Sequence, residues 1–531
     1  MPKLTIDNQE IEVPQGTTIM QAASKLSVSI PYYCWHPGLS IAGNCRMCQV
    51  EVDKVPRPVI ACNTQVTEGM VVRTQSEMAK HAQKGTLEFL LANHPLDCPV
   101  CDQAGECELQ NFYMKYGLYD SRFDEKKVKK KKAVVIGPTV ILDSERCILC
   151  SRCVRFTDEI THTGELGIVN RGDHEEITVY PGKELDNKYS GNVVDICPVG
   201  ALTDRDFRFK CRVWYLESVD SICTGCSQGC NIQIHVNKDR PHHAQGERVM
   251  RLKPRTNEKV NQWWMCDAGR YGYKFIDKER LLTPQRREGA LFKEEDWEKI
   301  LVSVSSSFAT LFKRHEKSAL GVLLSPQLSN EDLFTAKKFF EGLGILNVSV
   351  LSPSPKGDED TFLIKSDKNP NSRGALAIGV SQVSFEDIVP SILKGKIKGL
   401  YLFGQDLLSL VGENHAKELL SKLELIVFQG SNQNSTSAHS HYILPSATFA
   451  EKEGTFTNHA GRVQQFWKSL EPLGISLPDA EILQRLAEKM GIRFEKKRPE
   501  EIFSDLAGSV TAFRGLSYAS LGKEGKLLNG H

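Results

Sequence analysis

Cysteine spacing constrains this chain more than any other feature. The stretch His94-Pro-Leu-Asp-Cys98-Pro-Val-Cys101-Asp-Gln-Ala-Gly-Glu-Cys107 reads His-x3-Cys-x2-Cys-x5-Cys. Forty residues later come Cys147-x2-Cys150-x2-Cys153, and then Cys197-Pro198. Three thiolates at two-residue spacing plus a remote Cys-Pro wrap a cubane iron–sulfur cluster. The His94 set has the same logic, with an imidazole in place of one thiolate. Closely spaced thiolates also suit zinc, which stays open as the alternative. Zinc usually pairs two Cys-x2-Cys knuckles, however, and a third cysteine two residues on departs from that habit. For His94 the competing role is to cap the end of a helix. Three cysteines just downstream with no fourth nearby favour ligation.

Two further sets complete the pattern. Cys34, Cys45, Cys48 and Cys62 put most of their thiolates on one loop, which suits a [2Fe–2S] cluster. Gly38 and Gly43 in that loop would let the backbone turn tightly and aim its N–H groups at sulfur, raising the reduction potential. Cys223-x2-Cys226-x3-Cys230 is followed by Cys266 after 35 intervening residues. Two-cluster ferredoxins carry a fourth cysteine four positions after the third, where this chain has Thr157. Cys197 is therefore the only fourth ligand on offer to the Cys147 set. Of the 16 cysteines, 15 and one histidine fill four sets, implying one [2Fe–2S] and three [4Fe–4S] clusters. Cys211 is left over and is expected to be a buried thiol.

At 531 residues the chain should hold three or more domains. A formal net charge of +1 argues against a nucleic-acid-binding protein or one with an acidic substrate. No apolar run approaches the ~18 residues of a membrane span. The first residues resemble neither a signal peptide nor a transit peptide, so the chain is expected to stay where it is made. Reduced ligand cysteines fit that setting better than disulfides.

In chain order, Leu4–Ile6 and Glu10–Val13 read as strands joined by Asp7-Asn8-Gln9, followed by a helix from Thr18 to Leu26. Ser76 should cap a helix through Asn93, with Met78, Ala82, Leu87, Leu90 and Leu91 inward. Residues 122–132 form a charge run that reads as a solvated loop. A second module starts at Ala133–Ile136. Beyond residue 274, Ala319–Leu324, Asn347–Leu351, Gly399–Phe403 and Leu425–Phe428 read as strands. Helices lie between them, one capped by Ser329 through Gly342 and one near Ala416–Lys422. That alternation implies a parallel α/β sheet. Neither a G-x-G-x-x-G fingerprint nor a P-loop is present, so nucleotide chemistry is expected elsewhere. The end after Gly515 reads as a poorly ordered tail.

These motifs, with His36-Pro-Gly38, Cys45-Arg-Met-Cys48, Arg146 to Phe156 and Cys197-Pro-Val-Gly-Ala-Leu202, carry a resemblance. Residues 1 to about 215 resemble the large iron–sulfur subunit of bacterial NADH:quinone oxidoreductase (complex I). From 217 onward the chain is similar to the molybdopterin oxidoreductase superfamily, through Cys266-Asp-Ala-Gly-Arg-Tyr-Gly272 and Glu453 to Gln464. The resemblance implies a multidomain α+β and α/β protein. A β-grasp [2Fe–2S] ferredoxin-like module would span 1–75. A [4Fe–4S] segment with one histidine and three cysteines would span 76–121. A ferredoxin-like [4Fe–4S] domain would span 133–215 and a molybdopterin-oxidoreductase-type [4Fe–4S] domain 217–273. A shortened molybdopterin-oxidoreductase-like α/β region would fill 274–531. It further implies an electron wire without a substrate-converting site. Electrons from NADH and flavin would enter at the Cys34 set, move to the Cys147 set, then to the His94 set, and leave towards quinone. The Cys223 set would lie off that path. Implied partners are the flavin subunit with its [2Fe–2S] companion, a two-cluster ferredoxin-like subunit and the quinone-site subunits. No nucleic acid and no direct membrane span are implied, and the expected location is the cytoplasmic face of the bacterial inner membrane. Asn237 to Arg255 would be an inserted loop. Pterin-using relatives often carry a lysine where this chain has Ala268. With the short α/β region, that suggests no molybdopterin is held. A molybdenum formate dehydrogenase subunit is the alternative.

Overall fold

The computed structural model describes all residues except 118–119, 239, 241, 352–356 and 531. They form two compact units, Met1–Leu216 and Glu217–His531. In the first unit the strands Lys3–Ile6 and Gln9–Glu12 pair antiparallel through a turn with Asp7 and Asn8 at φ 44° and 67°. Positive φ at both central residues matches the right-handed twist of the strands, and Asn and Asp tolerate it. Lys3–Ile6 also pairs in parallel with Met70–Arg73, inside a five-stranded sheet. The helix Ile19–Lys25 packs across this sheet, started by a capping box of Thr18 and Gln21. This is the expected β-grasp.

Ser76 caps Glu77–Asn93 as its position suggested, with Leu87 buried and Leu90 and Leu91 packed against the same core, as expected. Ala79 and Gln83 are also inside, and Met78, expected inward, is exposed. The Gln83 amide donates to the Gln49 carbonyl at 3.0 Å, tying the helix to strand Gln49–Val52. A buried, hydrogen-bonded glutamine is invisible to an apolar count. The charge run is also corrected, because it is tied down rather than merely solvated. Lys127 Nζ donates to the carbonyls of Leu91 and Ala92 at 2.7 and 2.8 Å, capping the helix just before His94. Lys132 Nζ lies 2.5 Å from Asp97 and 2.8 Å from Glu145. The next module holds a small sheet of Val134–Val135, Val140–Leu142 and Leu202–Asp204, with the helix Arg152–Glu159.

The second unit opens with an antiparallel sheet of Glu217–Ile222, Asn231–Val236 and Val249–Pro254. The last third of the stretch from Asn237 to Arg255 is therefore not an inserted loop, since Val249–Pro254 is the third strand. Beyond it lies an eight-stranded sheet. Six parallel strands run in the order Tyr442–Pro445, Leu425–Gly430, Gly399–Phe403, Leu320–Leu324, Val348–Leu351, Ser381–Val383. In chain order that is 6-5-4-1-2-3, the doubly wound arrangement. Ser329 and Asp332 form the capping box of Asn330–Gly342. The C-terminal end is not a loose tail. Tyr518, Leu521 and Leu528 enter the main core, and Lys526–Leu527 pairs with Arg462–Phe466.

Charges are buried in this core. Lys452 Nζ lies 2.7 Å from Asp332 and 2.6 Å from Asp479, all three inside. Two carboxylates hold the ammonium charged, while burial pushes Asp479 upward. Removing the lysine would strand both acids, a loss of about 3–5 kcal/mol.

Glu331 is buried nearby and accepts from Thr455 N at 2.8 Å, Thr455 Oγ1 at 2.9 Å and Tyr518 Oη at 3.0 Å. Desolvation outweighs these bonds and pushes its carboxyl from 4.5 up to about 7. Between those values the folded unit holds more protons than the unfolded chain. Its stability is greatest below pH 4.5 and falls as pH rises to about 7, by about 3 kcal/mol. Glu331→Gln should remove that slope. Hydrogen exchange of peptides covering 452–457 at pH 5 and 7.5, corrected for intrinsic rates, measures it. An unchanged slope in the variant rules Glu331 out as its source.

Candidate metal centres

The first set sits on the long loop between Ile19–Lys25 and Gln49–Val52, with Cys62 just after the next strand, Val59–Ile60. The Cys34 thiol is in hydrogen-bond contact with Cys45 and Cys62, and Cys48 with Cys62, so all four converge. Gly43 and Arg46 take φ 63° and 58°, and Cys34 N donates to Cys45 Sγ at 3.4 Å. Gly38 does not turn the chain in the same way. Its N–H donates to His36 Nδ1 at 3.1 Å instead of to sulfur.

Cys147, Cys150, Cys153 and Cys197 line one small closed cavity, with Arg152 and Pro198 among its walls. Leu149 and Ser151 stand at φ 55° and 61°, unusual for side chains of that kind. The twist lets Leu149 N donate to Cys147 Sγ at 3.4 Å, and Ser151 then begins the helix Arg152–Glu159. Burial pushes the Cys147 thiol up to about 12 and Cys150 to about 11, and raises Cys153 and Cys197. Such walls hold neutral thiols and need a compensating cation to hold thiolates.

In the His94 set, Cys98 begins a short 3-10 turn and is exposed, Cys101 is buried, and Cys107 precedes the helix Glu108–Tyr116. These three thiols act on one another. Among the described residues the His94 Nδ1 is buried without a hydrogen-bond partner. Burial, with Arg146 and Lys127 adding to it, pushes the imidazole down to about 4, keeping it neutral and able to coordinate. His94 faces the same Arg146 guanidinium as Cys101. A residue that merely capped a helix would not need an orphaned ring nitrogen, and Lys127 already caps those carbonyls.

The fourth set is in the second unit. Cys223, Cys226 and Cys230 lie on the turn between Glu217–Ile222 and Asn231–Val236, and Cys266 caps the helix Asp267–Tyr271. Gly225 N donates to Cys223 Sγ at 3.4 Å and Gly269 N to Cys266 Sγ at 3.3 Å. A Cβ on residue 269 would stand 3.0 Å from Cys223 Sγ. Cys211 belongs to none of the sets and is buried beside the Arg212 carbonyl.

Among the described residues no three His, Cys, Asp or Glu side chains are gathered tightly enough to hold a single metal ion. A mononuclear zinc site needs four donors within ~2.3 Å of one point.

Residues that spacing rules pass over join the sets. Arg155 donates to the carbonyl of Cys34 at 2.5 Å and of Cys150 at 3.4 Å. Arg152 donates to Trp35 O at 2.6 Å and Ile196 O at 2.9 Å, the neighbours of Cys34 and Cys197. Each such charge-assisted bond contributes about 1.5–3 kcal/mol. The only sequence signal was two arginines flanking Cys153. Glu108 N donates to Pro198 O at 3.2 Å, bringing the second set against the third. There a Cβ on residue 200 would collide with Cys101 Sγ and crowd Gln103 Cβ at 3.1 Å.

Gly200→Ala should therefore displace Cys101 and abolish the spectroscopic signal of the His94-set centre, while the Cys34-set signal stays. Low-temperature EPR of the reduced chain checks this. An unaltered His94-set signal would mean that the loop yields at no cost.

Comparisons with known proteins agree with this geometry. Residues 2–77 match the model of a 2Fe-2S iron-sulfur cluster binding domain, and 83–122 the NADH-ubiquinone oxidoreductase-G iron-sulfur binding region. Residues 137–203 match the ferredoxin-like domain of NADH-quinone oxidoreductase subunit 3. Residues 216–278 match the molybdopterin oxidoreductase Fe4S4 domain, and 368–489 molybdopterin oxidoreductase. The G subunit of NADH-quinone oxidoreductase from Rickettsia bellii is 41% identical over 350 residues, 66% of this chain and 50% of that protein. Its namesake from Rickettsia felis is 31% identical over 629 residues, 97% of this chain and 92% of that one. An alignment of 629 positions covering 97% of 531 residues leaves on the order of 110 positions without a counterpart here. A solved NAD+-reducing [NiFe]-hydrogenase chain is 29% identical, covering 40% of this chain and 91% of its own, with a TM-score of 0.37. The Rickettsia felis match, at 31% identity over almost the whole chain, places this protein in the family of NADH-quinone oxidoreductase G subunits.

Proposed function

We propose that this chain, as an iron–sulfur electron-transfer subunit of NADH:quinone oxidoreductase, holds one [2Fe–2S] and three [4Fe–4S] clusters. It would serve between a flavin-bearing partner and a ferredoxin-like partner on the quinone side. Ligands would be Cys34, Cys45, Cys48 and Cys62 for the [2Fe–2S] centre. The cubanes would be held by His94, Cys98, Cys101 and Cys107; by Cys147, Cys150, Cys153 and Cys197; and by Cys223, Cys226, Cys230 and Cys266. When bound, such clusters supply one-electron uptake and release without bond-making.

One observation carries the reading. A single apolar cluster contains Cys34 and Cys45 of the first set, Cys107 of the second, and Cys147, Cys150 and Cys197 of the third. Leu87, Leu109, Val199 and Ala201 fill the space between them and exclude water. Backbone N–H groups aimed at Cys45 and Cys147 favour the reduced state. Among the described residues no helix is long and apolar enough to cross a membrane, so attachment to a membrane would come through partners.

The second unit keeps a crevice of about 450 Å³ at the carboxyl ends of its parallel strands, lined by Ser325, Gly404, Ser431, Ser446, Lys452 and Asp479. Such a crevice at the point of strand reversal is where doubly wound folds bind ligands. Lys452 in its wall is already engaged by Asp332 and Asp479, which leaves Lys368 as the other cation of the lining. Ala268 in the same wall and the shortened α/β region support a crevice that holds no pterin.

Metal analysis of anaerobically purified complex should find iron and acid-labile sulfide for all four clusters. It should find neither molybdenum nor tungsten, and no pterin fluorescence after denaturation. Stoichiometric molybdenum with pterin would overturn the reading of the crevice. Zinc without iron would overturn the whole.

Imidazole in place of thiolate leaves a cluster one charge less negative and raises its potential. His94→Cys should keep the His94-set cubane but lower its potential. His94→Ala should leave one iron without a protein ligand and make that cluster labile. Redox-titrated EPR on the assembled complex compares them with the parent. A His94→Ala signal at unchanged potential would return His94 to a helix-end role and direct the search for a fourth ligand to Cys211.

A further inference from the structure

Tyr33 is wholly buried, and among the described residues its hydroxyl has no hydrogen-bond partner. A buried hydroxyl left unpaired carries a desolvation penalty, so its retention asks for an acceptor. By sequence Tyr33 belongs to the first set, next to Cys34. By packing it leans towards the second. Its ring meets Phe112 edge-on, with centroids 5.4 Å apart, on the helix Glu108–Tyr116 that begins next to Cys107. It shares the apolar cluster with Leu87, Leu109 and Tyr116. Glu108 is exposed at the start of that helix, whereas the Cys107 sulfur beside it packs against the cluster that holds Tyr33.

We infer that the Tyr33 hydroxyl donates its hydrogen bond to a sulfur of the centre held by His94, Cys98, Cys101 and Cys107. The inference rests on reading that set as a cluster site. Tyr33 is a positioning and tuning residue. It reaches from the loop of one centre into the sulfur shell of another and favours the reduced state there, since added electron density on sulfur strengthens the bond. No covalent change is involved.

The test is Tyr33→Phe in the assembled complex, which removes one oxygen and keeps the ring. Redox-titrated EPR should show the His94-set cubane at a lower midpoint potential, with the Cys34-set and Cys147-set centres unshifted. Proton ENDOR on the parent should show one coupling to the reduced cubane that is lost in D2O. Tyr33→Phe should lack it in ordinary water. An unshifted cubane, a shift confined to the Cys34-set centre, or an exchangeable coupling that persists in Tyr33→Phe would each overturn the inference. If the parent complex shows no His94-set cubane signal at all, the reading of that set has failed and the inference falls with it. If the cubane is lost only in Tyr33→Phe, the parent ENDOR decides. An exchangeable coupling sustains the donor, and none refutes it.

Discussion

Only a hydrogen atom fits between the backbone of residue 200 and the sulfur of Cys101. That close approach lets the Cys-Pro loop of one ligand set lie against the next set, and much of the first unit is built around it. The loop is held from the other side by Arg152 and Arg155, whose guanidinium groups bond carbonyls beside or on cysteines of the first and third sets. Main-chain oxygens are well suited to this role, because they leave every sulfur lone pair for iron. The helices and small sheets behind these loops fix the ends of chain segments whose middles must bend sharply, as φ 55° at Leu149 and 58° at Arg46 show.

Much of this was legible in the sequence, for a physical reason. Cysteine spacing is set by local chain geometry, so the grouping of the thiols can be read residue by residue, as can the caps at Ser76 and Ser329. What could not be read depended on partners far along the chain. Gln83 is buried because Gln49 offers a carbonyl, a match that apolar periodicity cannot register. The lysines of 122–132 look solvated until their acceptors are known. The C-terminal segment has few apolar residues, yet Tyr518 finds the Glu331 carboxylate, 187 residues back along the chain.

The second unit keeps a nucleotide-type strand order without the glycine fingerprint that usually goes with it. Strand order is maintained by core packing, from Trp297 through Leu528, and survives changes at the strand ends. The strand-end crevice instead carries a lysine closed off by two acids. Strand order alone does not say what such a crevice holds, since one fold hosts many sites.

Lys132 spans Asp97, which lies between His94 and Cys98, and Glu145, two residues before Cys147. One ammonium thus clamps the mounts of two ligand sets. Tunnelling rates fall exponentially with separation. On the proposed reading, a single lysine at the end of the charge run would fix the gap that an electron crosses between the two centres.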